Sequence, residues 1–192
     1  MKILIASGAG GGTAKNRIGK YFHLKEFGES LAKLGMDYKL VVESDFVSGF
    51  PSKNPINWFF KKKFHKLIDD YNPDVVFVDR QSHFGLETIK RKIPLFVLLR
   101  GHYWSEVEFA KNTVANSLVK KKVLDLRSKI AQKVFNNATA ILPICNYLKT
   151  IVEENTKNLS LDIFIEGIDD KKWFSTEGMK LKHPCIGLMQ DA

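Results

Sequence analysis

Three stretches of this chain are apolar at every position: Ile3-Leu4-Ile5, Val75-Val76-Phe77-Val78 and Phe96-Val97-Leu98-Leu99. A strand with one wet face alternates apolar and polar residues; a strand buried on both faces does not. Continuous runs of this length, spaced by helical patterns, therefore predict a parallel sheet covered by helices on both sides. The predicted strands are Lys2–Ala6, Tyr38–Glu43, Val75–Asp79, Leu95–Leu99, Ala138–Leu142 and Leu161–Ile165. Between them lie helical patterns at Lys15–Leu34, Pro55–Tyr71, His83–Arg91, Thr113–Asn136 (one helix or two) and Asn146–Glu154. In the first of these Ile18, Phe22, Phe27, Leu31 and Leu34 approximate one face, and Gly35 ends it. The fold class is α/β: a Rossmann-like, largely parallel sheet with helices on both faces.

Composition supports a packed domain. Hydrophobic residues make up 44% of 192, with 14 Phe and 3 Trp, which excludes a globally disordered chain. Cys145 and Cys185 stand far apart with no metal-ligand spacing, and fit a reducing, cytoplasmic compartment. The apolar start after Met1-Lys2 is too short for a secretory signal. No run approaches the roughly 18 apolar residues of a spanning helix. The formal charge of +9 favours anionic partners: phosphorylated ligands, anionic lipid or nucleic acid. No nucleic-acid module signature is present, so nucleic acid is not expected as a partner.

Sheets of this class bind ligands at the carboxyl ends of their strands. The residues after each strand are therefore the site candidates. Ser7-Gly8-Ala9-Gly10-Gly11-Gly12-Thr13 follows the first strand, and its glycines let backbone N–H groups approach an anion. It is neither a dinucleotide fingerprint nor a P-loop. Asp79-Arg80-Gln81-Ser82-His83 follows the third strand. Arg100-Gly101-His102-Tyr103-Trp104 follows the fourth. A His there can hydrogen-bond a hydroxyl or titrate near neutral pH, an Arg can fork onto a phosphate or sit in a structural ion pair, and the aromatics can stack or simply pack. Cys145 has no paired base and is not a nucleophile candidate. Trp58-Phe59-Phe60-Lys61-Lys62-Lys63-Phe64 mixes aromatics with three lysines, and Lys120-Lys121-Lys122 forms a second basic cluster. Lys61, Lys62 and Lys63 are candidates for contact with an anionic membrane surface; a covering helix with a solvated charged face is the alternative.

The segment Leu161 to Phe174 reads LDIFIEGIDDKKWF. A short strand, a Gly turn at Gly167 and a capping Asp169 resemble the strand-Asn-Gly-(Ile/Val)-Asp-x-x-x-Phe signature near the domain junction of GT-B glycosyltransferases. Glu166 replaces the usual Asn, and one extra residue precedes Phe174. Ala138-Thr139-Ala140-Ile141 through Cys145 is similar to another pattern of that group, with Thr139 where Asp is usual and Cys145 where Ser is usual.

The resemblance implies the N-terminal, acceptor-side domain of a retaining, family-four-like enzyme. It would move a sugar from a nucleotide-diphosphate donor to an acceptor hydroxyl, on a glycan or lipid-linked glycan, without a metal. It implies His102 over the donor sugar as the catalytic candidate. Gly10, Gly11, Gly12, Thr13, Asp79, His83, Arg100 and Tyr103 would line the cleft. Residues 1–180 would form this domain, and 181–192 a linker and the first strand (Cys185, Ile186, Leu188, Met189) of a donor-binding domain missing from this chain. No cofactor is expected in residues 1–192 themselves; no Glu-x₇-Glu pair occurs, so the donor site is not expected here. Location would be cytoplasmic, or peripheral on the inner face of a membrane. The rival expectation is a stand-alone nucleotide-binding or membrane-surface module without catalysis.

Overall fold

The computed structural model describes residues 1–8, 19–46, 62–81, 83–113, 115–157 and 160–167. Among these, five strands are β1 (Lys2–Ser7), β2 (Asp37–Val42), β3 (Val75–Asp79), β4 (Leu95–Leu99) and β5 (Ala140–Pro143). The helices are α1 (Gly19–Lys33), α2 (Glu43–Phe46), α3 (Lys62–Tyr71), α4 (His83–Lys90), α5 (Tyr103–Thr113), α6 (Leu118–Asn137) and α7 (Asn146–Asn155). The strands form one sheet in the order β2-β1-β3-β4-β5, and every pairing is parallel. The Rossmann-like class read from the apolar runs is the fold of this chain.

Each run splits its side chains between two cores, which is why none of them alternates with polar residues. Leu4, Ala6, Val76, Val78, Leu95, Val97, Leu99 and Ile141 point to one face. They meet Phe64, Leu67 and Ile68 of α3, Phe84 of α4 and the α6 quartet Ile130, Ala131, Val134 and Phe135. Ile3, Ile5, Phe77 and Leu98 point the other way, onto Leu24, Phe27 and Leu31 of α1 and onto Phe164. Fully burying one such side chain contributes about 1.5–3 kcal/mol. Rings join across the layers: Phe64 and Phe84 lie 3.8 Å apart by centroid, and Phe27 lies 5.1 Å from Phe77 and 5.2 Å from Phe164.

Gly35 stops α1 as expected. It adopts φ +81°, its N–H donates to Ala32 O and the N–H of Met36 donates to Leu31 O. A side chain there would be strained, and the reversed pair of bonds satisfies the last carbonyls of the helix.

Besides the short α2, which takes up Glu43 from the end of the predicted second strand, two elements differ from expectation. Residues 103–113 form a helix of their own, α5, before α6 begins at Leu118. The exposed Phe109 breaks the apolar stripe of α5, which hides its helical period in the sequence. Leu161–Ile165 is not a full strand. It runs beside β5 with a single parallel bridge, Leu161 to Ile141, helped by Asp162 N–H to Ile141 O and Phe164 N–H to Pro143 O. It holds the edge position without completing a ladder.

Candidate functional site

The strand order places a topological switch between β1 and β3. The chain leaves β1 toward β2 on one side and returns to β3 on the other. The helices after the two strands, α1 and α4, consequently cover opposite faces of the sheet. A crevice opens where such connections diverge, at the carboxyl ends of the two strands. Ser7 and Asp79 are register partners at that end. A Cβ on Gly8 would lie 2.8 Å from the Asp79 carbonyl oxygen, so only glycine fits this close approach.

Four side chains from four separate segments converge here: the charged Asp79, Arg100 and Glu166, and the imidazole of His23. Asp79, at the end of β3, is almost fully buried. Arg100 follows β4; its Nε lies 3.2 Å from Asp79 Oδ1 and its Nη2 lies 2.7 Å from Glu166 Oε1. His23, on α1, places Nδ1 3.7 Å from Glu166 Oε2. Removing a buried carboxylate from water costs several kcal/mol, and the facing guanidinium offsets that cost. Arg100 thus pairs with both carboxylates and ties the sheet edge to the 160–167 segment.

Two cavities meet at Arg100. One, of about 80 Å³, is lined by Asp79, Arg80, Gln81, Tyr103, Glu106 and Arg127 besides Arg100 itself. The other is a groove of about 460 Å³ between α1 and the 160–167 segment, with His23, Glu26, Ser30, Lys33, Phe164 and Glu166 on its walls. Burial pushes the Arg127 guanidinium below its usual range; Tyr103 and Glu106 oppose this, and the positive charge of Arg80 adds to it. Burial likewise pushes the Tyr103 phenol up, and the neighbouring Ser128, the charge of Arg127 and Gln81 oppose this. Arg80 holds φ at +128°, a region other residues avoid. Such a conformation costs on the order of 1–3 kcal/mol and persists only where the surroundings impose it.

His102 has a defined local task. Its Nδ1 accepts a hydrogen bond from the Ser105 N–H at 3.2 Å and so caps the start of α5. In the neutral ring the proton then sits on Nε2. The ring stands 6.2 Å from that of Tyr147 and 6.4 Å from that of Trp104, and lines neither cavity. Tyr103, one residue on, is buried and stacks edge-on against Phe135 at 5.8 Å. Asp79, Arg100 and Tyr103 therefore share one cavity, and His102 stands on the α5 side of it. Cys145 caps α7 without a side-chain hydrogen bond and is exposed.

Gly10, Gly11, Gly12, Thr13, Lys61 and residues 168–192 lie outside the described residues. Lys62 and His83 open α3 and α4, and their side chains also lie outside the description. Lys63 is exposed, whereas Phe64, Leu67 and Ile68 of the same helix face the core. No described helix is long and apolar enough to cross a membrane.

His23, read from the sequence as a surface residue within a helix, and Arg127 are the site residues that sequence reading did not single out; Glu166 stands among the residues that follow a predicted strand. A lone carboxylate or guanidinium directly after an apolar run was the available signal for Glu166, as it was for Arg100. His23 and Arg127 sit mid-helix, and nothing local distinguishes them.

No protein-family model matches the chain, and no curated protein matches it. Among solved structures it is similar to the UDP-GlcNAc 2-epimerase from Methanocaldococcus jannaschii, at 15% identity and a TM-score of 0.46. The likeness covers 85% of this chain and 45% of that protein, so the chain spans less than half of its length.

Proposed function

We propose that this chain is the acceptor-binding domain of a retaining GT-B glycosyltransferase. The complete enzyme would move a sugar from a nucleotide-diphosphate donor to an acceptor hydroxyl on a glycan or lipid-linked glycan. The observation that carries the reading is the 2.7 Å contact between Arg100 Nη2 and Glu166 Oε1. Glu166-Gly167 begins the segment that resembles the domain-junction signature of that group. Its contact with Arg100 brings Glu166 and Gly167 onto the carboxyl edge of the sheet, where a ligand crevice of this fold class lies.

In this reading the groove beside α1 takes the acceptor, with Glu166 and His23 as hydrogen-bonding partners for its hydroxyls. His102 and the Gly10–Thr13 loop face the donor, which a second domain of the same protein would hold. Lys61, Lys62 and Lys63 would meet an anionic membrane surface that carries a lipid-linked acceptor.

The test is a transfer assay with labelled nucleotide-diphosphate sugars, on residues 1–192 and on the whole gene product. The reading expects turnover only in the latter, with retention at the anomeric carbon. Turnover by residues 1–192 alone that a His102→Asn change leaves untouched sinks it.

A further inference from the structure

We propose that the outward face of α6 is a docking surface for an anionic lipid bilayer, with Leu118, Val119 and Leu126 entering the interface and Lys122, Lys129 and Lys133 meeting the headgroups. A lipid-linked acceptor at the neighbouring crevice rests on the functional reading above; the surface itself does not.

Successive residues of a helix turn by about 100°. On α6 that spacing gathers Leu118, Val119, Lys122, Leu126, Lys129 and Lys133 into one arc of about 100°, opposite the side on which Ala131, Val134 and Phe135 enter the core. All six are exposed, Leu118 at 79% and Val119 at 70%. The arc holds no acidic residue. Asp125 is the one acid in α6, and its Oδ1 lies 2.6 Å from Lys111 Nζ on α5. Lys120 and Lys121, in the same first turns, are exposed as well.

Single exposed leucines need no explanation; here they alternate with charges of one sign. Two properties choose the occupant. The lysines call for an anionic surface and repel a second copy of the same face. Leu118 and Val119 call for hydrocarbon, and a nucleic acid backbone would answer the lysines while leaving both apolar side chains in water. A bilayer with anionic lipids meets both demands: its headgroups face the ammonium groups, and the lysine stems and apolar side chains lie along the acyl boundary.

Topology sets this face beside the candidate site. α6 leads into β5 at the amino edge of the sheet, so the helix returns from the carboxyl edge. Its 20 residues span about 30 Å, against about 17 Å for the five residues of β4. The buried residues of α6 fall between Ile130 and Phe135. Its first turns, with Leu118 and Val119, therefore reach beyond the packed layer at the edge where Asp79 and Arg100 stand.

The experiment is flotation of the full chain with phosphatidylcholine vesicles, with and without phosphatidylglycerol. The chain should float only when phosphatidylglycerol is present. Lys122→Gln, Lys129→Gln and Lys133→Gln together should weaken binding by about a hundredfold. Leu118→Ser with Val119→Ser should weaken it by about tenfold or more. All five side chains are exposed, so melting temperatures should match the parent. No flotation, or flotation that both sets of changes leave intact, overturns the surface. So does binding of a duplex oligonucleotide with vesicles ignored, or a dimer in sedimentation that Leu118→Ser dissolves. Flotation of residues 1–192 but not of the whole gene product shows the face covered by another domain and also overturns it. No sugar donor is involved: flotation without sugar transfer keeps the surface and rejects the enzyme reading, and transfer without flotation does the reverse.

Discussion

Arg100 and Glu166 meet at 2.7 Å across the carboxyl edge of the sheet, and the same guanidinium reaches Asp79 on its other side. One side chain thereby joins the end of β3, the end of β4 and the segment that runs along β5. Fold and site share this residue, so its replacement should disturb both.

Arg100→Met should destabilise the chain by about 3 kcal/mol, because it removes the guanidinium 3.2 Å from the buried Asp79 carboxylate. Adding Asp79→Leu should restore much of the loss, since an apolar pair of similar volume replaces the buried ions. Urea unfolding of the two variants and the parent measures both effects. Equal stability of Arg100→Met and the parent would contradict the buried-pair account.

Gly28 lies on α1 where Tyr38 of β2 packs against it, and a Cβ would stand 2.3 Å from a ring carbon of Tyr38. Alanine favours a helix over glycine by about 1 kcal/mol. The clash reverses that preference, and Gly28→Ala should lower stability by about 1–2 kcal/mol. In the Tyr38→Ala background the same change should be neutral or stabilising. A double-mutant cycle reads the coupling directly.

Tyr71 supplies a pH signature. Burial, followed by the charge of Asp37, pushes its phenol up to about 12, and its hydroxyl donates to Ile3 O at 3.5 Å. The folded state thus holds this proton more tightly than the unfolded chain. The resulting stability is complete below the ordinary value of 10.0 and is lost as pH climbs from there toward 12. Tyr71→Phe should flatten the fall in stability over that interval, as thermal melts at stepped alkaline pH would show.

The parallel sheet was legible because β1, β3 and β4 carry unbroken apolar runs, and burial on both faces leaves few other uses for them. The carboxyl edge was legible for the same reason: once strand direction is known, Asp79 and Arg100 fall on it. α5 was not, because Phe109 points outward and the remaining pattern after Tyr103 is shared by a loop. The partners of Arg100 were not legible either. Glu166 lies 66 positions away in the sequence, and only the placement of the 160–167 segment beside β5 unites them. His102 shows a further limit: a histidine after a strand reads as chemistry, while its Nδ1 is engaged in capping α5.

That capping contact separates two roles for His102. His102→Ala should cost about 1 kcal/mol by leaving the first turn of α5 without its acceptor, whereas His102→Asn can keep the cap. If His102 also serves the sugar-transfer reaction, the asparagine variant of the whole protein should retain stability and lose transfer. Melting temperature and transfer rate, measured on the same samples, distinguish the two.

The most direct measurement is sugar transfer by the whole gene product, using a panel of nucleotide-diphosphate sugars and glycan or lipid-linked acceptors, compared with a Glu166→Gln variant. The account predicts transfer with retained anomeric configuration, and a variant that stays folded but uses the acceptor poorly. Absence of transfer from every donor, together with tight nucleotide binding by residues 1–192 alone, would contradict it and leave a nucleotide-binding module in its place.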